Sequence, residues 1–101
     1  MTKEVWFSLD IKEQLSNIHG EVVRLIRARN NYKTGRSTQD YTSSYINKVR
    51  KLISLTCSDP KNEKRKQELV DEEMEIDRWL NEEVDDQYIL RYWEQYTRAI
   101  S

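Results

Sequence analysis

Ile11, Leu15, Ile18, Val22 and Leu25 recur at alternating spacings of four and three, the period at which one stripe of a helix faces a neighbour. Asp10 followed by Glu13 has the spacing of an N-terminal capping box, and Trp6 and Phe7 just before it are placed to pack back on the first turns. The pattern therefore predicts a first helix over 10–31, weakened slightly at Gly20. Glycine and small polar residues in YKTGRSTQ, residues 32–39, mark a connection. Tyr41, Tyr45, Val49, Leu52, Ile53 and Thr56 then share one face of a second helix over 38–57.

An antiparallel hairpin turning near Gly35 pairs residues whose numbers sum to about 70. That rule sets Leu15 against Leu55, Ile18 against Leu52, Val22 beside Val49 and Leu25 against Tyr45. Two stripes assigned independently thus meet in register.

Asp59 and Pro60 stop the second helix and start a third over 60–82, with Asp59 as N-cap and Pro60 where its missing donor does no harm. Advancing roughly 100° per residue puts Leu69, Val70, Met74, Ile76, Leu80 and Val84 on one apolar arc. The apolar phase restarts at Asp85 or Asp86, and Ile89, Trp93, Tyr96 and Ile100 predict a fourth helix over 86–100, with one bent helix as the alternative. The fold class is all-α: an antiparallel helical hairpin packed with one or two C-terminal helices, a three- to four-helix bundle in one domain.

Composition agrees. Of 101 residues 35% are charged, and glycine and proline number only two and one, the profile of a helical protein with a solvated exterior. There is no apolar run of membrane-spanning length and no basic-then-apolar leader, and Cys57 stands alone. A cytoplasmic protein with no membrane contact is expected. A monomer and a homodimer fit the pattern equally.

The near-neutral net charge of −1 conceals a division. Residues 1–66 hold 14 Lys and Arg against 7 acids, whereas residues 67–101 hold 3 against 11. On the helical wheel Glu68, Asp71, Glu72, Glu75, Glu82 and Glu83 lie opposite the aliphatic arc, with Trp79 among them. Glu73 and Asp77 fall beside the arc, where a carboxylate needs a cation; Arg24, Arg27, Arg29, Lys48, Arg50 and Lys51 of the hairpin are the candidates. The outward acidic stripe with Trp79, continued by Tyr88 and Tyr92, is the expected partner-binding face, suited to a protein with a basic surface. Such a chain reads as a non-enzymatic adaptor, regulator or inhibitor. The alternative is nucleic-acid binding by the basic hairpin end, through Arg24, Arg27, Arg29, Lys33, Arg36, Lys48 and Lys51. A solvated helix face is the bland explanation of the same acids.

Catalytic chemistry finds little support. In the hairpin register the one histidine, His19, lies ~9 Å along the axis from the level of Cys57, outside hydrogen-bond reach. One His with one Cys cannot build a zinc site, the Glu-x-x-His pairs of di-iron bundles are missing, and no phosphate-binding or dinucleotide loop is present. No enzyme activity, metal or cofactor is expected.

Overall fold

The computed structural model describes residues 2–100. They form five helices: α1 (Lys3–Ser8), α2 (Ile11–Lys33), α3 (Thr42–Ser58), α4 (Lys66–Leu80) and α5 (Asp86–Ile100), with a 3-10 helix over Pro60–Arg65 leading into α4. The chain is an all-α bundle, as the periodicity requires. α2 packs along both α3 and α5, α4 bridges α3 and α5, and α1 closes the base against α3. No helix among the described residues is long and apolar enough to cross a membrane.

α2 follows its apolar stripe. The Asp10 carboxylate accepts from the Glu13 backbone N–H at 2.8 Å, and Leu15, Ile18, Val22, Leu25 and Ile26 are buried. The chain leaves the helix through Gly35, at φ 78°, a left-handed conformation that glycine adopts without the Cβ clash. α3 begins at Thr42 rather than 38, because the Asp40 carboxylate accepts from the Thr42 backbone N–H at 3.0 Å and holds residues before it out of the helix. Tyr41, expected on the apolar face, is consequently outside the helix and half-exposed. A shallow groove lined by Arg24 and Ala28 from α2, by Tyr45 from α3 and by Tyr41 just before it agrees with the expected register.

Before α2 lies a helix the periodicity did not suggest. α1 is only six residues long, too short to show a period, yet it delivers Trp6 into the core with no exposed surface. A buried polar network fixes it there. The Trp6 indole N–H donates to the Thr56 hydroxyl at 3.0 Å, and the Gln14 amide donates to the Trp6 carbonyl and to Asp59, each at 2.9 Å. Asn62 in turn donates to Gln14 at 2.8 Å and to the Thr56 carbonyl at 3.0 Å. Asp59 caps the 3-10 helix as expected, accepting from the Lys61 backbone N–H at 3.2 Å. Burial alone would raise its carboxyl, but hydrogen bonds from Lys61 and Gln14 hold it below the ordinary carboxylate value.

The third predicted helix is divided. Residues 60–65 wind as a 3-10 helix, and only 66–80 are α-helical. The face that α4 buries also differs from the aliphatic arc. Its buried residues are Leu69, Glu72, Ile76 and Trp79, spaced three, four and three, while Val70 and Met74 are 45% and 58% exposed. Burying an indole removes more apolar surface from water than burying Val70 or Met74. The helix therefore turns to enclose Trp79, and Glu72 goes in with it.

α4 ends in a Schellman-type turn, with the Glu82 N–H bonded to the Trp79 carbonyl at 3.1 Å and the Glu83 N–H to the Arg78 carbonyl at 2.9 Å. The left-handed position of this turn, normally glycine, is Glu82 at φ 61°. α5 is a separate helix, its start capped by Asp85, which accepts from the Tyr88 backbone N–H at 2.8 Å.

Candidate functional site: an acidic, tyrosine-walled groove

The acidic residues that the pattern sent outward take three different places. Trp79 is 2% exposed and cannot anchor a partner. Its indole N–H donates to Asp86 at 2.7 Å, and the Arg29 guanidinium covers its ring at 4.4 Å from the centroid. Glu82 faces the protein's own basic end, where Lys33 and Arg29 donate to its carboxylate at 2.7 and 3.0 Å. These contacts hold Glu82 below the ordinary carboxyl value. Arg29 also donates to the Trp79 carbonyl at 2.8 Å, so the basic end of α2 clamps the α4–α5 turn. The open hollow beside this clamp, about 610 Å³, is lined largely by the groups that hold one another there.

Of the two acids expected to point inward, Asp77 pairs with Arg50 at 2.6 Å, with both side chains half-exposed. Glu73 takes no cation from the hairpin; its charge, after burial, helps to push up the Cys57 thiol. A thiol raised in this way is a poor nucleophile.

Glu68, Asp71 and Glu83 remain exposed. Glu75 lies partly buried and pairs with Arg78 at 3.1 Å. Glu72 departs most from expectation: it is 1% exposed, and its Oε2 has no hydrogen-bond partner among the described residues. Burial pushes its carboxyl up to about 9, helped by the negative charges of Glu75, Asp71 and Glu68. The group is thus protonated near neutral pH, a neutral acid enclosed in the protein.

Glu72 lines a groove between α4 and α5 together with Glu68 and Asp71 from α4, Tyr92 and Tyr96 from α5, and Arg65 just ahead of α4. Its volume is about 270 Å³, slightly below the roughly 300–1,000 Å³ of typical small-molecule sites. The Tyr96 hydroxyl donates to Glu68 at 3.1 Å, and Arg65 approaches the same carboxylate at 3.6 Å. Burial and the Glu68 charge raise the Tyr96 phenol well above its ordinary value. Tyr92 is raised by burial and then by Glu72. Tyr88 and Tyr92 stack with centroids 6.1 Å apart and continue the aromatic wall along α5.

The structure therefore brings Glu68, Asp71, Glu72 and Tyr92 of the expected face into one groove and sets Tyr88 beside it. Trp79, Glu82 and Glu83 lie outside the groove. Tyr96, which belongs both to the stripe of Ile89, Trp93 and Ile100 and to the tyrosine border of α5, is one of its walls. Its signal is the i, i+4 ladder of Tyr88, Tyr92 and Tyr96.

The basic candidates are divided too. Arg24 pairs with Glu21 at 2.9 Å, and Arg29 and Lys33 hold Glu82. Arg27, Arg36, Lys48 and Lys51 are exposed. Among the described residues no group of three or more His, Cys, Asp or Glu is placed to hold a metal ion. Comparison of the chain with protein-family models, with curated proteins and with solved structures finds no match.

Proposed function

We propose that the protein is a small non-enzymatic binding module, an adaptor, regulator or inhibitor, that engages a protein with a basic surface through the groove between α4 and α5. The observation that carries this reading is Glu72. A buried carboxyl with one oxygen unpartnered among the described residues costs a small domain stability, and its position beside exposed carboxylates and tyrosines favours a role in recognising positive charge. The tyrosines supply large, rigid contact area of the kind that dominates binding hot spots. Exposed Glu68 and Asp71 steer a cationic partner toward the groove.

The basic hairpin end supports a second reading, since Arg24, Arg27 and exposed Tyr41 line one shallow groove there. That arrangement suits phosphate contact with aromatic stacking on single-stranded nucleic acid. Three of its seven candidate cations are paired with the protein's own acids, which ranks it below the acidic groove.

Binding of a fluorescent oligo-arginine peptide separates the two. The wild type is expected to bind it with an affinity that falls as salt rises, and the double variant Glu68→Lys with Asp71→Lys is expected to lose it while keeping its helical circular dichroism. Equal binding by both proteins refutes the acidic groove. Retention of single-stranded DNA, abolished by Arg27→Glu with Arg36→Glu, establishes the second reading instead.

A further inference from the structure

We infer that the groove is a socket for a single arginine side chain of the partner, whose guanidinium passes between Tyr92 and Tyr96 and pairs with the enclosed carboxyl of Glu72. The inference rests on the proposed function and specifies what enters the site. Four observations support it.

The groove is small, about 270 Å³, which suits a side chain better than a helix or strand laid along it. Its entrance carries net negative charge, with Glu68 and Asp71 exposed against the one cation Arg65. Its walls include two tyrosine rings, and guanidinium, planar and weakly hydrated, stacks on such faces where a lysine ammonium keeps its water. Among its lining residues, Glu72 has an oxygen, Oε2, with no hydrogen-bond partner among the described residues. A carboxylate offers two oxygens to the guanidinium fork, the bidentate pairing in which arginine exceeds lysine.

The way in is weakly held. The Tyr96 hydroxyl meets Glu68 at 3.1 Å, long for an O–H···O bond, whose usual separation is about 2.7–2.8 Å. An entering guanidinium takes over Glu68 as well and releases the Tyr96 ring to turn. Glu72 then gives its proton to solvent as it pairs with the cation. The charged or titratable groups facing it are Glu68, Asp71 and Glu75 on its own helix, Tyr92 and Tyr96 on α5, and Arg65 ahead of α4. Burial and the charges of Glu75, Asp71 and Glu68 raise the energy of a bare carboxylate there, so the incoming arginine supplies the compensating charge.

The test is a two-dimensional NMR titration of the ¹⁵N-labelled full chain with a short capped peptide carrying one arginine between serines. Its counterparts carry citrulline, the neutral isostere, or lysine. The arginine peptide should shift the amides around Asp71, Glu72, Tyr92 and Tyr96 saturably, and citrulline should not. Lysine should bind more weakly. Glu72→Gln keeps the shape and should weaken arginine binding roughly tenfold or more. Wild-type affinity should rise between about pH 6 and about pH 8, whereas that of the variant should stay flat. Equal binding by wild type and Glu72→Gln, or by arginine and citrulline, overturns the inference, and lysine binding as tightly as arginine overturns its choice of guanidinium. If the oligo-arginine peptide is lost on reversing Glu68 and Asp71 but is indifferent to Glu72→Gln, the socket falls while the proposed function stands.

Discussion

Replacing Glu72 by glutamine should change how the fold responds to pH before any partner is present. In the native protein this carboxyl titrates at about 9, and its ordinary value is 4.5. Between those two values the folded protein holds a proton that the unfolded chain has released. Unfolding is then favoured as pH rises, by up to about 1.4 kcal/mol per unit for one group. The stabilisation associated with the neutral acid is complete below the unfolded value and is lost as pH climbs toward the folded one. From about pH 5 to about pH 8 the loss approaches ~4 kcal/mol, a large share of the roughly 5–15 kcal/mol that holds a domain together.

Glutamine cannot ionise, so its contribution is level across this range. Urea unfolding followed by tryptophan fluorescence, repeated across that range, should therefore give profiles that lie within about 1 kcal/mol of each other at the acid end and separate progressively above it. The variant should be the more stable protein by about 3 kcal/mol or more near pH 8. Parallel profiles would show that Glu72 reaches water or a cation in the folded state, and the reasoning about the groove floor would be wrong.

Two further perturbations probe the surrounding framework. Arg29→Ala removes charge-assisted bonds to the Trp79 carbonyl and Glu82 together with the ring contact; a loss of about 2–4 kcal/mol is expected in chemical denaturation, and Arg29→Lys should recover little of it, because an ammonium lacks the planar fork. Gln14→Ala leaves the Trp6 carbonyl and an Asp59 oxygen without their shared donor in a closed site, and should lower the thermal midpoint by roughly 10–20 °C; a shift within about 2 °C would mean that water replaces the amide.

The hairpin is legible because α2 repeats its apolar residues from Ile11 to Ile26, long enough for one face to declare itself. α4 was misread for a different reason. Counting aliphatic residues weights Val70 and Met74 equally with larger groups, whereas the fold orients the helix by its bulkiest side chain, Trp79. That rotation carried Glu72 from the expected outer face to the groove floor. A carboxylate four residues before the core residue Ile76 resembles any solvated acid until its neighbours on α5 are known. The destination of Glu82 was equally hidden, since its partners Arg29 and Lys33 lie about fifty positions earlier. Asp77 was easier: its place beside the apolar arc implied a basic neighbour, and Arg50 was among those named.

The knot of amides and hydroxyls at the base of the bundle has a consequence for how the chain matures. Trp6 and Gln14 are synthesised early, yet their hydrogen-bond partners Thr56 and Asn62 lie 50 and 48 positions downstream. Contacts so distant along the chain must await closure of a long loop. Residues 2–10 thus seal the base only once Thr56 and Asn62 are in place to bond Trp6 and Gln14.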